Sequence, residues 1–371
     1  MRVLCIGLKV GAGLESICYS VMDALKKHDG VVCDYVDIYA ENPKMAKFSS
    51  ENYYKLVKHI PRTVAFGQSV AYKIALRSKR KHFFINKDVS EMKKELVKYI
   101  KRYSPDIIYT PLNTTAMALD ELIEEGVRIK YVFQMPDFVV SWYSQQLKHC
   151  SKIFSSCKEV TSILTEKGAN PDIIKTYGVP IAEKFYSDVS VNEVVKKLGA
   201  NSDKFILVSN GGAGFGDNCK LVRYLYDKIK DYNLIIVNGN NEKSKKEIDA
   251  FIKRNNINNV INLGFVTNMP GLMKTSQIMV GKSGSSSICE ASTCKVKFIV
   301  YDNKLFPEVK NILFLKKRDA AIVVKSYKQI VKAISAYLND DENSRKKHAN
   351  FSALCTGNPA AEVARDIIGL I

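Results

Sequence analysis

Short runs rich in Val, Ile and Leu alternate along this chain with longer stretches of helical spacing, and the alternation happens twice. The first series of candidate strands is Arg2 to Gly7, Val31 to Ile38, Asp106 to Thr110, Lys130 to Gln134, Lys152 to Ser155 and Ile173 to Thr176. The second is Lys204 to Ser209, Leu234 to Asn238, Val260 to Leu263, Ile278 to Gly281 and Lys297 to Tyr301. Between them lie amphipathic segments such as Ile17, Val21, Ala24 and Leu25, which fall on one face of a helix. Unbroken apolar strands separated by helices are the signature of parallel sheets covered on both faces. The pattern therefore predicts an α/β chain with two Rossmann-like sheets in tandem.

At 371 residues the chain exceeds the size at which one hydrophobic core stops growing, and a 46% apolar content supplies two cores. The expected division is a first domain over 1–185, a second over 190–350, and a terminal helix over 351–371 that crosses back to the first domain. The linker is expected after the turn Gly178-Val179-Pro180-Ile181. Every apolar run is broken by Lys, Asp or Arg before it reaches the 18 to 20 residues of a membrane span. The start, Met1-Arg2-Val3-Leu4-Cys5-Ile6-Gly7, reads as a first strand entering a glycine turn and not as a signal peptide, which predicts a cytoplasmic protein.

The nine cysteines contain no Cys-x-x-Cys pair, and the five histidines no His-x-x-x-His or His-Glu-x-x-His spacing. Neither a zinc site nor a disulfide framework is indicated, and no metal cofactor is expected. The formal charge of +18 suits nucleic acid, an anionic membrane or a phosphorylated ligand. Eleven of the basic residues crowd between Lys73 and Arg102 against three acids, interleaved with Tyr72, Ile74, Leu76, Phe83, Phe84 and Ile85. That segment reads either as a solvated helix face or as a surface that lies against anionic lipid headgroups.

In open parallel sheets ligands bind beyond the carboxyl ends of the strands, so the informative residues are those just after each strand. After the first strand comes Gly11-Ala12-Gly13-Leu14-Glu15-Ser16, a turn that serves either ligand approach or strand-to-helix packing. After the first strand of the second series comes Ser209-Asn210-Gly211-Gly212-Ala213-Gly214-Phe215-Gly216, four glycines in six residues, where backbone comes close to a ligand. After Ile278-Met279-Val280-Gly281 comes Lys282-Ser283-Gly284-Ser285-Ser286-Ser287, opening a helix that contains Glu290. Serine hydroxyls and unpaired N–H groups at a helix start suit a diphosphate, and a carboxylate one turn further suits a ribose diol. Glu308 and Asn311, three apart at another helix start, share a face from which both reach sugar hydroxyls.

These residues resemble glycosyltransferase family 28, and within it the diacylglycerol glycosyltransferases and monogalactosyldiacylglycerol synthases. The segment Gly264-Phe265-Val266-Thr267-Asn268-Met269-Pro270-Gly271-Leu272-Met273 is similar to the family's uracil-contacting Gly-Phe-x-x-x-Met-x-x-Leu-Met. Gly239-Asn240-Asn241 is similar to its Gly-x-Asn turn, Lys282 to Ala291 to its glycine and hydroxyl turn ending in Glu-Ala, and Glu308-x-x-Asn311 to its sugar-reading element. Pro136-Asp137-Phe138 resembles its Thr-Asp-Phe. The resemblance implies a GT-B fold, two Rossmann-like domains facing each other across a cleft. It also implies a UDP-sugar donor on the second domain, a lipid or polyprenyl-linked acceptor on the first, inversion at the anomeric carbon and no bound metal. The expected donor-binding residues are Gly212, Asn240, Gly264, Phe265, Val266, Met269, Lys282, Gly284, Ser285, Ser286, Ser287, Glu290, Glu308 and Asn311. On the acceptor side stand Gly11, Ala12, Gly13 and Trp142.

The departures lie in the first half. Gly11-Ala12-Gly13-Leu14 stands where the family has Gly-Gly-Gly-His, Lys9 where it has Asp, Ser141 where it has His, and Pro307 where it has Gln. An inverting transfer needs a base within reach of the acceptor hydroxyl. Glu15 is the first candidate, although an acid at a helix start also serves the helix dipole, and Asp137 is the second. Three readings remain open: a peripheral enzyme on the inner face of the membrane moving a hexose or N-acetylhexosamine, a non-catalytic or partner-dependent homologue, and a nicotinamide oxidoreductase using the Gly11 turn. None of them binds nucleic acid.

Overall fold

Strands of a parallel sheet whose two faces are covered by crossover helices have no solvent-facing side, which is why they read as continuous apolar runs. The computed structural model describes residues 1–9, 13–40, 67, 70, 83–141, 143–200, 202–212, 217–302 and 308–371. Its strands are β1 (Arg2–Gly7), β2 (Val32–Asp37), β3 (Ile107–Thr110), β4 (Lys130–Gln134), β5 (Lys152–Ser155) and β6 (Ile174–Thr176). They form one parallel sheet in the order β2-β1-β3-β4-β5-β6. A second parallel sheet has the order β12-β11-β10-β7-β8-β9. Its members are β7 (Phe205–Ser209), β8 (Asn233–Val237), β9 (Val260–Leu263), β10 (Ile278–Gly281), β11 (Lys297–Tyr301) and β12 (Ile322–Val324). This is the GT-B pattern of two Rossmann-like sheets. The strand β12 was not foreseen, because three residues are too few to display a period.

By internal contacts the chain divides into Met1–Ala182 with Gly357–Ile371, and Glu183–Asn303 with Glu308–Thr356. The last helix, α13 (Pro359–Ile368), packs on α1 (Gly13–Leu25) in the first unit. Tyr177 donates to Asp366 at 3.1 Å and Lys130 to the Leu370 carbonyl at 2.6 Å. Gly178, at φ +107°, fits the chain against Pro359, whose Cγ lies 3.2 Å from where a Cβ would stand. In the second unit the core is formed by Ile206, Val208, Leu234, Ile236, Ile278, Val280 and Ile299, all fully or nearly fully buried. Burial of each such side chain contributes about 1.5–3 kcal/mol, enough to hold the strand ends in a fixed relation.

Of the basic segment, residues 72–82 lie outside the described residues. From Phe83 to Tyr103 the chain is one helix, α2, with Val89, Met92, Leu96 and Tyr99 buried. Three of its lysines are engaged with acids: Lys93 with Glu121 and Glu125, Lys94 with Glu91, Lys98 with Glu95. Among the described residues no helix is long and apolar enough to cross a membrane.

Candidate functional site

In the second sheet the first strand, β7, lies between β8 and β10, so the strand order reverses there. Chains leaving β7 and β10 depart to opposite faces, which opens a crevice beyond their carboxyl ends. The two backbones meet closely: a Cβ on Gly281 would lie 2.7 Å from the Ser209 carbonyl. Gly211, at φ +78°, leaves room for the Lys282 stem, whose Cε would stand 2.9 Å from a Cβ there. Gly239, at φ +55°, brings the turn after β8 onto the turn after β7, where Asn240 N donates to Gly212 O at 2.9 Å.

The helix after β10, α9 (Ser285–Thr293), starts at Gly284 with no side-chain cap. Elsewhere in this unit the helix starts at Ser190, Asp217, Asn241, Asn268, Ser326 and Asp341 are each closed by that residue's side chain. The amides that open α9, at the switch point, therefore have no side-chain acceptor at their cap position, and they carry the positive end of the helix dipole. Ser285 is buried, while Ser286 and Ser287 are partly exposed.

Lys282 lies between these turns and pairs with Glu308 at 2.8 Å, both side chains largely buried. Ser283 Oγ donates to Glu308 O at 3.0 Å, and Asn311 Nδ2 to Ser283 O at 2.9 Å. Glu308 and Asn311, at the start of α10 (Glu308–Lys317), are thus bound to the β10–α9 turn, with Asn311 fully buried. The sequence placed both on one sugar-facing side; the Asn311 amide instead holds the turn backbone.

Glu290, partly exposed and one turn inside α9, sits among protein atoms that push its carboxyl up to about 8, while Lys184 acts in the opposite direction. Lys184 Nζ donates to Thr267 O at 2.8 Å, so one lysine relates Glu290 to the turn after β9. In that turn Phe265 is 64% exposed, an apolar ring with no core role, beside partly exposed Gly264, Val266 and Met269. The turn ends at Asn268, which accepts from Gly271 N at 3.1 Å to open α8 (Met269–Thr275).

Sequence reasoning missed the residues beneath these turns. Asn210 Nδ2 donates to Asn218 Oδ1 at 2.7 Å, Asn218 Nδ2 to Asn238 Oδ1 at 3.0 Å, and Asn238 Nδ2 to Asn262 Oδ1 at 2.7 Å. Asn262 Nδ2 then donates to the Asp249 carboxylate at 2.7 Å. An asparagine directly after β7 and another directly after β8 was the available signal.

In the first unit β1 lies between β2 and β3, which sets the equivalent switch point at its end. Gly13 and Glu15 open α1 there, both partly exposed. Asp137 lies in the bend after β4, with Ser156 donating to its carbonyl at 2.6 Å. Because β3 separates β1 from β4, the two strand ends that these candidate bases follow are about 10 Å apart. Gly11, Ala12 and Trp142 lie outside the described residues. Asp37 accepts from the backbone N–H groups of Lys9 at 3.2 Å and Tyr39 at 3.1 Å. Its carboxylate braces the β1 turn. Among the described residues no group of three or more His, Cys, Asp or Glu is arranged to hold a metal ion.

Comparison with known proteins assigns each half. Residues 205–367 match the model of the glycosyltransferase family 28 C-terminal domain, and residues 15–181 match that of monogalactosyldiacylglycerol (MGDG) synthase. A processive diacylglycerol beta-glucosyltransferase of Bacillus licheniformis is 28% identical over 284 residues, covering 74% of this chain and 71% of that protein. Among solved structures, Acinetobacter baumannii MurG superposes with a TM-score of 0.57 at 13% identity, covering 100% of this chain and 99% of its own. The UDP-GlcNAc 2-epimerase of Methanocaldococcus jannaschii, in complex with UDP-GlcNAc and UDP, does so at 0.58 and 15%, with 100% of both chains covered. These matches overturn the nicotinamide reading.

Proposed function

We propose that the chain, whose residues 205–367 match the glycosyltransferase family 28 C-terminal domain, is a glycosyltransferase that moves a hexose or N-acetylhexosamine from a UDP-sugar to a lipid acceptor, with inversion. The observation that carries the donor reading is the open N-terminus of α9 at the switch point of the second sheet, framed by Gly212 and Lys282. A diphosphate placed there receives the amides and hydroxyls of Ser285, Ser286 and Ser287, while Gly284 keeps the approach clear. Glu290 takes the ribose hydroxyls, and Phe265 covers the uracil with Gly264, Val266 and Met269 beside it. Asn240 and Gly212 border the phosphates, and Glu308, oriented by Lys282, faces the sugar with Asn311 behind it. The structures solved with UDP bound to a related fold support a uridine nucleotide.

The acceptor reading rests on the relatives. The names of the monogalactosyldiacylglycerol synthase family and of the Bacillus licheniformis enzyme both point to diacylglycerol. A polyprenyl-linked lipid has the same chemistry, a primary hydroxyl or sugar hydroxyl at a membrane surface. The enzyme then works on the cytoplasmic face of the membrane as a peripheral protein, drawn by its +18 charge. In the transfer the acceptor hydroxyl attacks the anomeric carbon, its proton passes to Glu15, or to Asp137 if Glu15 serves only the helix dipole, and the bond to the β-phosphate oxygen breaks. Charge growing on the departing UDP is met by the dipole of α9 and by Lys282, so no metal is required.

The test is a panel of UDP-sugars offered to the purified chain with vesicles containing diacylglycerol, read by thin-layer separation of glycolipid and by release of UDP. Glycolipid formed in step with UDP supports the reading. A chain that binds UDP yet forms no product from any pair is the partner-dependent homologue that Lys9, Leu14 and Ser141 suggested, and a chain that binds no UDP refutes the donor site.

A further inference from the structure

Beneath the donor turns runs a row of carboxamides, all pointing the same way. Each amide donates to the next oxygen, from Asn210 through Asn218, Asn238 and Asn262 to the Asp249 carboxylate, itself held by Lys245 Nζ at 2.7 Å. A carboxylate only accepts, so the end of the row fixes the orientation of every amide before it. Bonds in such a chain polarise one another and strengthen together.

Asn238 is the node. It is fully buried, and all its side-chain positions are used: Oδ1 accepts from Asn218 at 3.0 Å and Ser244 Oγ at 2.8 Å, while Nδ2 donates to Asn262 at 2.7 Å and Leu263 O at 3.0 Å. Its partners belong to the start of α6 (Asn218–Leu225), the start of α7 (Glu242–Arg254) and the end of β9. The next residue, Gly239, is the one whose backbone rests on Gly212. One side chain therefore joins the turn after β7, the turn after β8 and the turn after β9.

We propose that Asn238, touching no substrate, is the positioning residue that sets the spacing of the three donor turns and thereby the affinity for the nucleoside diphosphate. The inference rests on the donor reading above. An apolar side chain at 238 would let each turn relax separately, and a shift of order 1 Å in one turn breaks the match to a rigid ligand whose base and phosphates bind at different turns.

The experiment measures UDP binding by calorimetry and the urea midpoint by fluorescence for the wild type, Asn238→Ala, Ser244→Ala and Ile334→Ala. Ile334 is buried in the same core, on the helix Tyr327–Leu338 that packs against β11 and β12, makes no bond to the row, and reports what lost stability alone does. Asn238→Ala is expected to weaken UDP binding about tenfold or more, and Ser244→Ala, which removes one of the four bonds, severalfold. Ile334→Ala should lower the urea midpoint and leave UDP affinity within about twofold of wild type. Folded Asn238→Ala with wild-type affinity overturns the proposal, and so does an equal loss in Ile334→Ala. If Asn238→Ala does not fold, unchanged affinity in Ser244→Ala overturns it. Wild-type protein that fails to bind UDP overturns the donor reading itself, a different result from a variant that differs from a binding parent.

Discussion

Replacement of Gly239 by alanine should damage the donor site more than its size suggests. The glycine adopts φ +55°, a left-handed conformation that costs an L-residue roughly 1 kcal/mol. The added Cβ would stand 2.2 Å from Gly212 O, 2.7 Å from its carbonyl carbon and 3.1 Å from Gly211 O, all backbone atoms that no rotamer change can clear. Reaching ordinary contact requires the two turns to separate by about 1 Å, which breaks the 2.9 Å bond from Asn240 N to Gly212 O and adds about 1 kcal/mol. A loss near 2–3 kcal/mol lowers the melting temperature of a domain this size by about 5–10 °C. The same separation should weaken UDP binding about tenfold. Gly264→Ala is the companion variant: its Cβ meets nothing nearer than Lys245 Cδ at 3.5 Å, and its φ is not positive. Thermal unfolding of both variants and calorimetry with UDP are the assays. Equal melting temperatures for the two would refute the steric argument.

Further outcomes follow from the same geometry. Because burial raises the Glu290 carboxyl to about 8, the folded state holds a proton that the unfolded chain has released, and stability should fall as pH rises from about 4.5 to 8. Glu290→Gln removes that slope, so the difference in unfolding free energy from urea titrations should grow in the variant's favour over that range, by a few kcal/mol at most, while UDP binding is lost. Glu15→Gln should abolish sugar transfer with UDP affinity unchanged; full turnover in that variant passes the base role to Asp137, to be checked with Asp137→Asn. Burial raises the thiols of Cys5, Cys18, Cys33, Cys150, Cys157 and Cys294, whereas hydrogen bonding to Cys289, then to Ser292, lowers that of Cys355. Brief iodoacetamide treatment of the native protein at pH 7, read by peptide mass spectrometry, should label Cys355 ahead of those six. Dialysis against EDTA should leave turnover unchanged, and restoration by added magnesium would refute the metal-free account of leaving-group stabilisation.

What the sequence determined by itself was whatever is local. Eleven strands were readable because a strand buried on both faces must be apolar throughout, and so were the glycine- and serine-rich turns after β7 and β10, because glycine lets turns approach closely. Phe265 stood out within a motif, and the structure leaves its ring exposed. Partnership between distant residues was not legible. That Asn311 spends its amide on Ser283, that Lys282 pairs with Glu308, and that Asp37 braces the turn after β1 depend on which strand ends lie side by side. The strand order places β7 against β10 although they are separated by more than sixty residues, and only that adjacency shows which helix start lacks a side-chain cap at the switch point. The asparagine row makes the difference plain: Asn210 and Asn238 follow strands, Asn218 opens a helix and Asn262 lies inside β9, and the four become one network only when parallel pairing sets β7, β8 and β9 side by side.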